Sequence, residues 1–518
     1  MVVKIRFGLQ RIVFHKSGKP RTWLRFVLFR RDKTIRKIFE RIVRKKNGQV
    51  RPNFSSWTVS RNNHKEIQIL PRNAPSLNHI EAVLQSVLPL EENVANYSSR
   101  AEPQNILTHD EIFNLFSKHK GKTAPSLLIV VSHDNYLESL GGVQVCIQRE
   151  QKLAADNGFD YLQIHPWKPI PRLANLDEED DVLVVMVLNG KVIGTAFTSE
   201  LIEMTKNLKE KGEHQIKIVI HHLMGHLPEQ LAKLTLISDA GHCVFWLHDF
   251  FSLCPSSNLM RNSVRSCNAP PVTSNSCFIC KFSPERATHE HRIAAFFEAT
   301  KVDLISPSQV TADFWKSHSA LKTASITIIP HVTLDDAPPD QAGFKPPIAY
   351  GDEVKIGYLG FQVYHKGWST FTKLMNDPDR TRNHKFVVLS SVRPKMGEDQ
   401  WIDVTVNAFQ TDAMTMAVKE ANIDVVLHWP MCFETFSLTT YEAFAGSAYI
   451  ITNSWSGNVA DSVKRTGLGI VLNDEAELVT FFKSGALRRL VDQRRKQKSK
   501  AGFRQVQSDL SFSLIGEK

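Results

Sequence analysis

Two glutamates eight positions apart, Glu434 and Glu442, lie in the stretch Pro430 to Gly446, PMCFETFSLTTYEAFAG. Ionised carboxylates accept hydrogen bonds only, so a pair flanking one ligand suits the hydroxyls of a sugar. Ser437 between them is an N-cap, Leu438 to Ala445 holds good helix formers, and Gly446 supplies a C-terminal stop. The apolar, β-branched runs IDVVLHW (Ile423 to Trp429) and AYIIT (Ala448 to Thr452) on either side read as buried strands. The result is a βαβ unit with Glu434 in the strand-to-helix loop and Glu442 on the helix. In a doubly wound sheet that loop is at the ligand end, where N–H groups of the helix start favour a phosphate.

Four further stretches carry chemistry. SHDNYLESLGGVQ places Gly141 and Gly142 directly before a helix, either as a tight turn or to let backbone approach a ligand. HDFFSLCP begins with His248 and Asp249 at the end of a strand, where the histidine is structural or bonds a sugar hydroxyl with the acid setting its tautomer. In YLGFQVYHKGWSTF, Gly360 ends a strand and Lys366 precedes a helix. Cys254, Cys267, Cys277 and Cys280, the last two as C-x2-C, either close a tetrahedral structural zinc site or are four unrelated thiols. Asp377-Pro378-Asp379 has the spacing of a metal-binding D-x-D but lies between a helix and the next strand, away from ligands, so no metal is expected in catalysis.

These stretches need a scaffold, and the chain alternates strands with helices from Ser126 onward. SLLIVVS, YLQIHP, DVLVVMVL, QIKIVIHH and CVFWLHD form one series, read as a parallel sheet, and VKIGYLG, KFVVLS, VTVNAF and the opening unit form a second after the proline-rich DDAPPDQAGFKPP. The fold class is α/β, with domains assigned as 1–52 (basic extension), 53–123 (connecting region with local helices, one near Leu77 to Leu88), 124–335 (first Rossmann-like domain) and 336–518 (second Rossmann-like domain with C-terminal helices). The helix pair at Glu477 to Lys500 is expected to cross back onto the first domain. A chain of 518 residues with 42% hydrophobic content can bury cores of this size.

P-x3-E-T-F-S-x4-E-A-x2-G resembles the E-x7-E signature of retaining nucleotide-sugar glycosyltransferases of the GT-B fold, family 4-like, group 1. The resemblance implies two Rossmann-like domains facing across a cleft, with no cofactor for catalysis. It assigns catalytic roles to Glu434, His248 and Lys366. Donor binding falls to Gly141, Gly142, Gly360, Lys366, Phe436, Ser437, Leu438 and Glu442: Glu434 on the donor sugar, Glu442 on the ribose, Lys366 and the helix start at Phe436 to Leu438 on the diphosphate. Pro307-Ser308, Pro330-His331 and Ser456-Gly457-Asn458 match weaker landmarks. An arginine common soon after the first glycine of the lysine element is replaced by Phe361 and Gln362. The implied reaction moves a sugar from a nucleotide diphosphate to a glycan or lipid-linked acceptor in cell-surface polysaccharide or glycolipid synthesis. Other GT-B activities, an epimerase or a phosphorylase, share these features.

The formal charge of +11 is concentrated at one end: residues 1–51 hold 17 Lys and Arg against Asp32 and Glu40. RIVFHKSGKPR, FVLFRRDKTIR and RIVRKKNGQVR repeat there with a period of 15. Apolar and basic side chains in alternation suit an anionic membrane surface. Nucleic acid is the rival partner, but the segment has few aromatics to stack bases and the rest of the chain is slightly acidic. No apolar run approaches a membrane span and the N-terminus lacks a signal-peptide stretch, so the expected location is the cytoplasm, peripheral on the inner face of the membrane.

Overall fold

A computed structural model of the protein describes residues 103–515 apart from 104, 117–125, 139–140, 177–179, 213, 338–351, 395–399, 406–409 and 497–501. The basic extension, the expected helix at Leu77 to Leu88 and most of the proline-rich linker lie outside the described residues.

The first sheet is built from β1 (Ser126–Val131), β2 (Phe159–Pro166), β3 (Leu183–Leu188), β4 (Lys191–Phe197), β5 (Gln215–Ile220), β6 (His242–Trp246), and, after the two-residue ribbon strands β7 (Met260–Arg261) and β8 (Arg265–Ser266), β9 (Lys301–Ser306) and β10 (Ser325–Ile328). Its order is β10-β9-β6-β5-β1-β2-β3-β4. The expectation of a wholly parallel sheet is corrected at one edge, where β3 runs antiparallel to both β2 and β4. Asn189 and Gly190 join β3 to β4 with φ of 49° and 80°. That is the two-residue Asn-Gly hairpin turn whose twist matches the strands, and it was legible in the sequence as LNGK. The helix His109–Phe116, assigned by sequence to a connecting region, belongs to this domain: Ile112 and Phe116 are buried in its core, and Leu107 N–H bonds Thr195 O at 2.8 Å.

The second sheet is wholly parallel. It comprises β12 (Val354–Leu359), β13 (His384–Ser390), β14 (Trp401–Asp403), β15 (Val425–Leu427), β16 (Tyr449–Asn453) and β17 (Gly469–Leu472), in the order β14-β13-β12-β15-β16-β17. This is the doubly wound Rossmann order, which reverses between β12 and β15 and opens a crevice at their carboxyl ends. The third strand is Trp401–Asp403, anchored by Trp401 Nε1 donating to Ser390 O at 3.0 Å; it precedes the expected VTVNAF, most of which lies outside the described residues. The helix Leu438–Ala445 starts as read, with Ser437 Oγ accepting from Thr440 N–H. Its end differs. Gly446 has φ −74° and Ser447 takes the left-handed conformation at φ 65°. Glycine is needed at 446 for space, since a Cβ would stand 2.4 Å from Val418 Cγ1.

The basic helices Glu475–Lys483 and Ala486–Lys496 do not cross back: Leu478, Phe482, Leu487 and Val491 pack into the second domain's core. The return is made by the residues that follow. β11 (Val332–Asp336) pairs antiparallel with β18 (Phe503–Gln507), and the turn of helix Phe512–Ile515 buries its apolar side chains beside β1 and β6 of the first domain. Each fully buried apolar side chain there contributes about 2 kcal/mol. The tail thus departs from the 336–518 assignment and straps the first domain. Among the described residues no helix is long and apolar enough to cross a membrane.

Candidate functional site

The carboxyl ends of both sheets face a cleft of about 560 Å³. Gly141, Gly142 and His248 line it from the first domain, and Gly360, Lys366, Glu434, Phe436, Ser437, Leu438 and Glu442 from the second. Every residue singled out for the donor or for catalysis therefore borders one cavity. Thr435 bridges its walls: its carbonyl accepts from Ser308 Oγ and Thr311 Oγ1, both at 2.9 Å, and its hydroxyl donates to His248 O.

The strand-end glycine Gly360 has φ 90°, a left-handed conformation that suits glycine. Gly142 has nothing within 4 Å of a built Cβ, so the helix start there is open to the cleft. Leu438 and Thr439 open the second helix start, and their N–H groups take no partner among the described residues.

Lys366 and Glu434, expected on diphosphate and sugar respectively, also meet each other. Lys366 Nζ donates to Glu434 Oε1 at 2.8 Å and Oε2 at 2.7 Å. Burial pushes the Glu434 carboxyl up, but the Lys366 ammonium and His428 override it and hold the group below its ordinary value. The lysine is raised in turn: burial lowers it and the carboxylate more than offsets that. An ammonium has three donors, and this one is 42% exposed, so one N–H is left for an anion in the cleft. Glu434 Oε1 also accepts from Cys432 Sγ at 4.0 Å, whereas Oε2 keeps a lone pair for a hydroxyl. The loop is held from behind by Gly457, at φ 59°, where a Cβ would sit 2.5 Å from Glu434 O.

Glu442 is the opposite case. It is 94% buried by its 6% exposure, its carboxyl has no hydrogen-bond partner among the described residues, and burial alone pushes it to about 7. A buried carboxyl without a donor on the cleft wall is able to accept hydrogen bonds from a ligand.

His248 corrects a sequence expectation. Asp249 does not set its tautomer, because Asp249 Oδ2 pairs with His222 Nε2 at 3.1 Å and Oδ1 accepts from Phe251 N–H. The partner of His248 Nε2 is His221 Nδ1 at 2.8 Å, and His221 Nε2 bonds Glu150 Oε2 at 2.9 Å. Burial, then His221 and His331, press His248 well below the ordinary histidine value, so it works as a neutral ring. Sequence reasoning missed Glu150 and His221. The visible signal was a histidine pair ending β5 and an acid on the helix behind it.

Cys254, Cys267, Cys277 and Cys280 line one small cavity of about 10 Å³, and all are free thiols. Burial pushes the Cys254 thiol up to about 12. Arg286 donates to Cys277 Sγ at 3.1 Å and Asn262 N–H to Cys280 Sγ at 3.4 Å, contacts that offset thiolate charge. The donor set fits zinc in kind. No three of the sulfurs lie within 4.8 Å of one another, so a metal would have to draw the loop inward. In a closer trio, Cys146, His248 and His331, Cys146 Sγ lies 3.2 Å from His331 Nδ1, with its thiol pushed up to about 12 by burial. Asp377 and Asp379 face Lys483 at the far end of the second domain.

No family model and no curated protein matches the chain. Among solved structures it is similar to sucrose-phosphate synthase from Thermosynechococcus elongatus, at 12% identity over 71% of this chain and 93% of that one, TM-score 0.42. It is similar also to WaaG, a glycosyltransferase involved in lipopolysaccharide biosynthesis, at 13% identity over 71% and 94%, TM-score 0.41. HepE of Anabaena, in complex with UDP-glucose, is similar at 10% identity over 71% and 92%, TM-score 0.42.

Proposed function

We propose that the protein is a retaining glycosyltransferase that moves a sugar from a nucleotide diphosphate donor to a glycan or lipid-linked acceptor. The observation that carries this reading is the cleft at the β12/β15 switch point, where one charged pair and one unpartnered buried carboxyl stand on either side of a helix start. Such an arrangement offers distinct places to a sugar, a diphosphate and a ribose. Glu434 accepts from donor-sugar hydroxyls, the free N–H of Lys366 with those of Leu438 and Thr439 meets the diphosphate, and Glu442 accepts from the ribose.

In the reaction the bond from the anomeric carbon to the phosphate oxygen breaks and its electron pair stays on the diphosphate. The acceptor oxygen bonds the same face of the anomeric carbon, and its proton passes to the departing phosphate. The protein's part is to stabilise the growing charge with donors already in place. Turnover of UDP-, GDP- and ADP-sugars by the purified chain, with the anomeric configuration of the product determined, tests the reading. Failure with all three donor classes, or an inverted product, overturns it.

Two accessory readings go with it. The four-cysteine loop is a structural zinc site, with no metal in catalysis. Residues 1–51 dock the enzyme on an anionic membrane from the cytoplasmic side, where each basic side chain near the surface contributes up to about 1 kcal/mol. Removing them is expected to abolish salt-sensitive sedimentation with anionic liposomes while donor hydrolysis persists; equal binding by the shortened chain refutes the docking role.

A further inference from the structure

Glu150 is fully buried in the helix Gly142–Asp156, and the cleft chemistry described so far does not use it. Its Oε2 takes two hydrogen bonds, from Tyr161 O–H at 3.1 Å and with His221 Nε2 at 2.9 Å, while its Oε1 is buried without a partner. A fully buried carboxylate with an orphaned oxygen is costly to keep, so a reason for it is to be sought in what it touches. It touches His221, also fully enclosed, and His221 touches His248, which lines the cleft.

One proton on each ring orders this chain of contacts. The carboxylate can only accept, so His221 must carry its proton on Nε2. With a single proton on His221, its Nδ1 is bare and can only accept, so the hydrogen in the 2.8 Å contact belongs to His248 Nε2. His248 is held neutral by its surroundings, with Glu150, Cys146 and Arg149 on the helix behind it and His133, His221, His222 and His331 around it. Its remaining nitrogen, Nδ1, is therefore bare, and it takes no partner among the described residues. Ring rotation is restrained as well. Trp246 lies nearly parallel to His248 at 5.0 Å and 6°, and His331 stacks at 5.3 Å and 21°.

We infer that Glu150 and His221 are positioning residues that hold His248 in its Nε2–H form, so that the cleft is offered a hydrogen-bond acceptor and selects a ligand hydroxyl at that point. A carbonyl or phosphate oxygen, which can only accept, would meet lone pair with lone pair and be refused. The inference rests on the proposed sugar site for the identity of the hydroxyl, and the proton assignment on the contacts together with one proton on each ring.

The test uses the full chain labelled with 15N in its histidine rings, the His248 signal being identified by its loss in His248→Asn. The expected wild-type spectrum shows His248 as a neutral ring protonated on Nε2, unchanged between pH 6 and 8. Glu150→Leu is expected to give a mixture of the two neutral forms and to lower kcat/KM for the donor by about ten-fold, the worth of one lost orienting hydrogen bond. Glu150→Gln, which keeps an acceptor facing His221, is expected to restore both. A wild-type His248 protonated on Nδ1 or on both nitrogens overturns the inference, as does an unchanged spectrum in Glu150→Leu. Should Glu150→Leu fail to fold, the wild-type spectrum decides. Absence of turnover by the wild type with every nucleotide sugar tells against the proposed function and leaves the spectrum to decide the relay.

Discussion

The two walls of the cleft are made in different ways. The second-domain wall comes largely from one segment: Glu434, the helix start and Glu442 follow one another between β15 and β16. The first-domain wall is assembled from afar. His221 is separated in sequence by 71 positions from Glu150 and 27 from His248, and the rings stack on Trp246 beneath a tail that returns from the chain's end. A wall written in one segment is readable as a motif, whereas a wall written across three helix and strand ends becomes visible only when the sheet brings them together. The second wall also keeps its charge as a pair beside an unpaired acid; the first presents a His248 ring that its surroundings hold neutral.

The sharpest break of this comparison strikes the second wall. Glu434→Gln and Lys366→Ala are each expected to lower transfer by at least about 100-fold, the loss that follows removal of one pre-organised group from a transition state. Because the two side chains already bond each other, the double variant should fall little further than either single one. Near-normal kcat/KM in either single variant would show that the charged pair is only a structural bridge.

The unpaired acid of the same wall gives the next effect, and its sign follows from linkage. Glu442 is raised from its ordinary 4.5 to about 7. The folded chain thus holds a proton there that the unfolded chain has lost, so this group's stabilisation is full below pH 4.5 and is lost as pH rises through 7. The penalty above pH 7 is about 3 kcal/mol. Glu442→Gln should remove it, so that urea unfolding shows the ligand-free variant gaining on the wild type between pH 5 and pH 8, while donor affinity falls. Parallel pH curves for the two proteins would place the carboxyl in a more polar setting than its burial indicates.

How far each wall could be read in advance follows from the same contrast. The helix cap at Ser437 and the flanking strands needed only local rules, and those rules also located Gly360 and Lys366 at the end of β12. Asp249 was misassigned because adjacency in sequence suggested a pair, yet successive residues leaving a strand point to opposite sides, which sends Asp249 to His222 and His248 to His221. Nothing local marks Glu150, an acid on a helix whose buried face could not be deduced before its strand partners were known. The antiparallel edge was missed for a simpler reason, an Asn-Gly turn left unused.

The cysteine loop of the first domain reaches the second, since Tyr364 O–H donates to Val264 O at 2.9 Å and Met260 packs with Tyr364 and Cys432. With about one zinc per chain drawing the four thiols together, this contact would be firm. Replacing Cys277 and Cys280 by serine is expected to release the metal, lower Tm by several degrees and raise the donor KM more than it changes kcat. Protein purified without chelator that contains no zinc retires the site.

The smallest expected effect concerns the strap behind the histidine wall. Trp246 Nε1 donates to Ser511 Oγ at 2.8 Å, with both residues buried, and this is the point at which the returning tail grips the indole that stacks against His221, His248 and His331. Ser511→Ala removes the acceptor and strands a buried indole N–H, which costs about 1 kcal/mol or somewhat more. Among the described residues neither Lys366 nor Glu434 hydrogen-bonds this pair, so the lysine–glutamate site should keep its donor affinity. If the strap serves only to hold the fold, denaturant midpoints shift and the His248 ring spectrum stays as it was. If it also keeps the indole flat against the rings, the His248 signal broadens and kcat falls by a few-fold without a change in KM. Trp246 stacks on His221, His248 and His331, and a single lost indole hydrogen bond leaves those stacking contacts in place. The expected outcome is therefore the first: a stability loss with the ring spectrum intact, read by comparing urea midpoints and 15N spectra of the variant and the wild type.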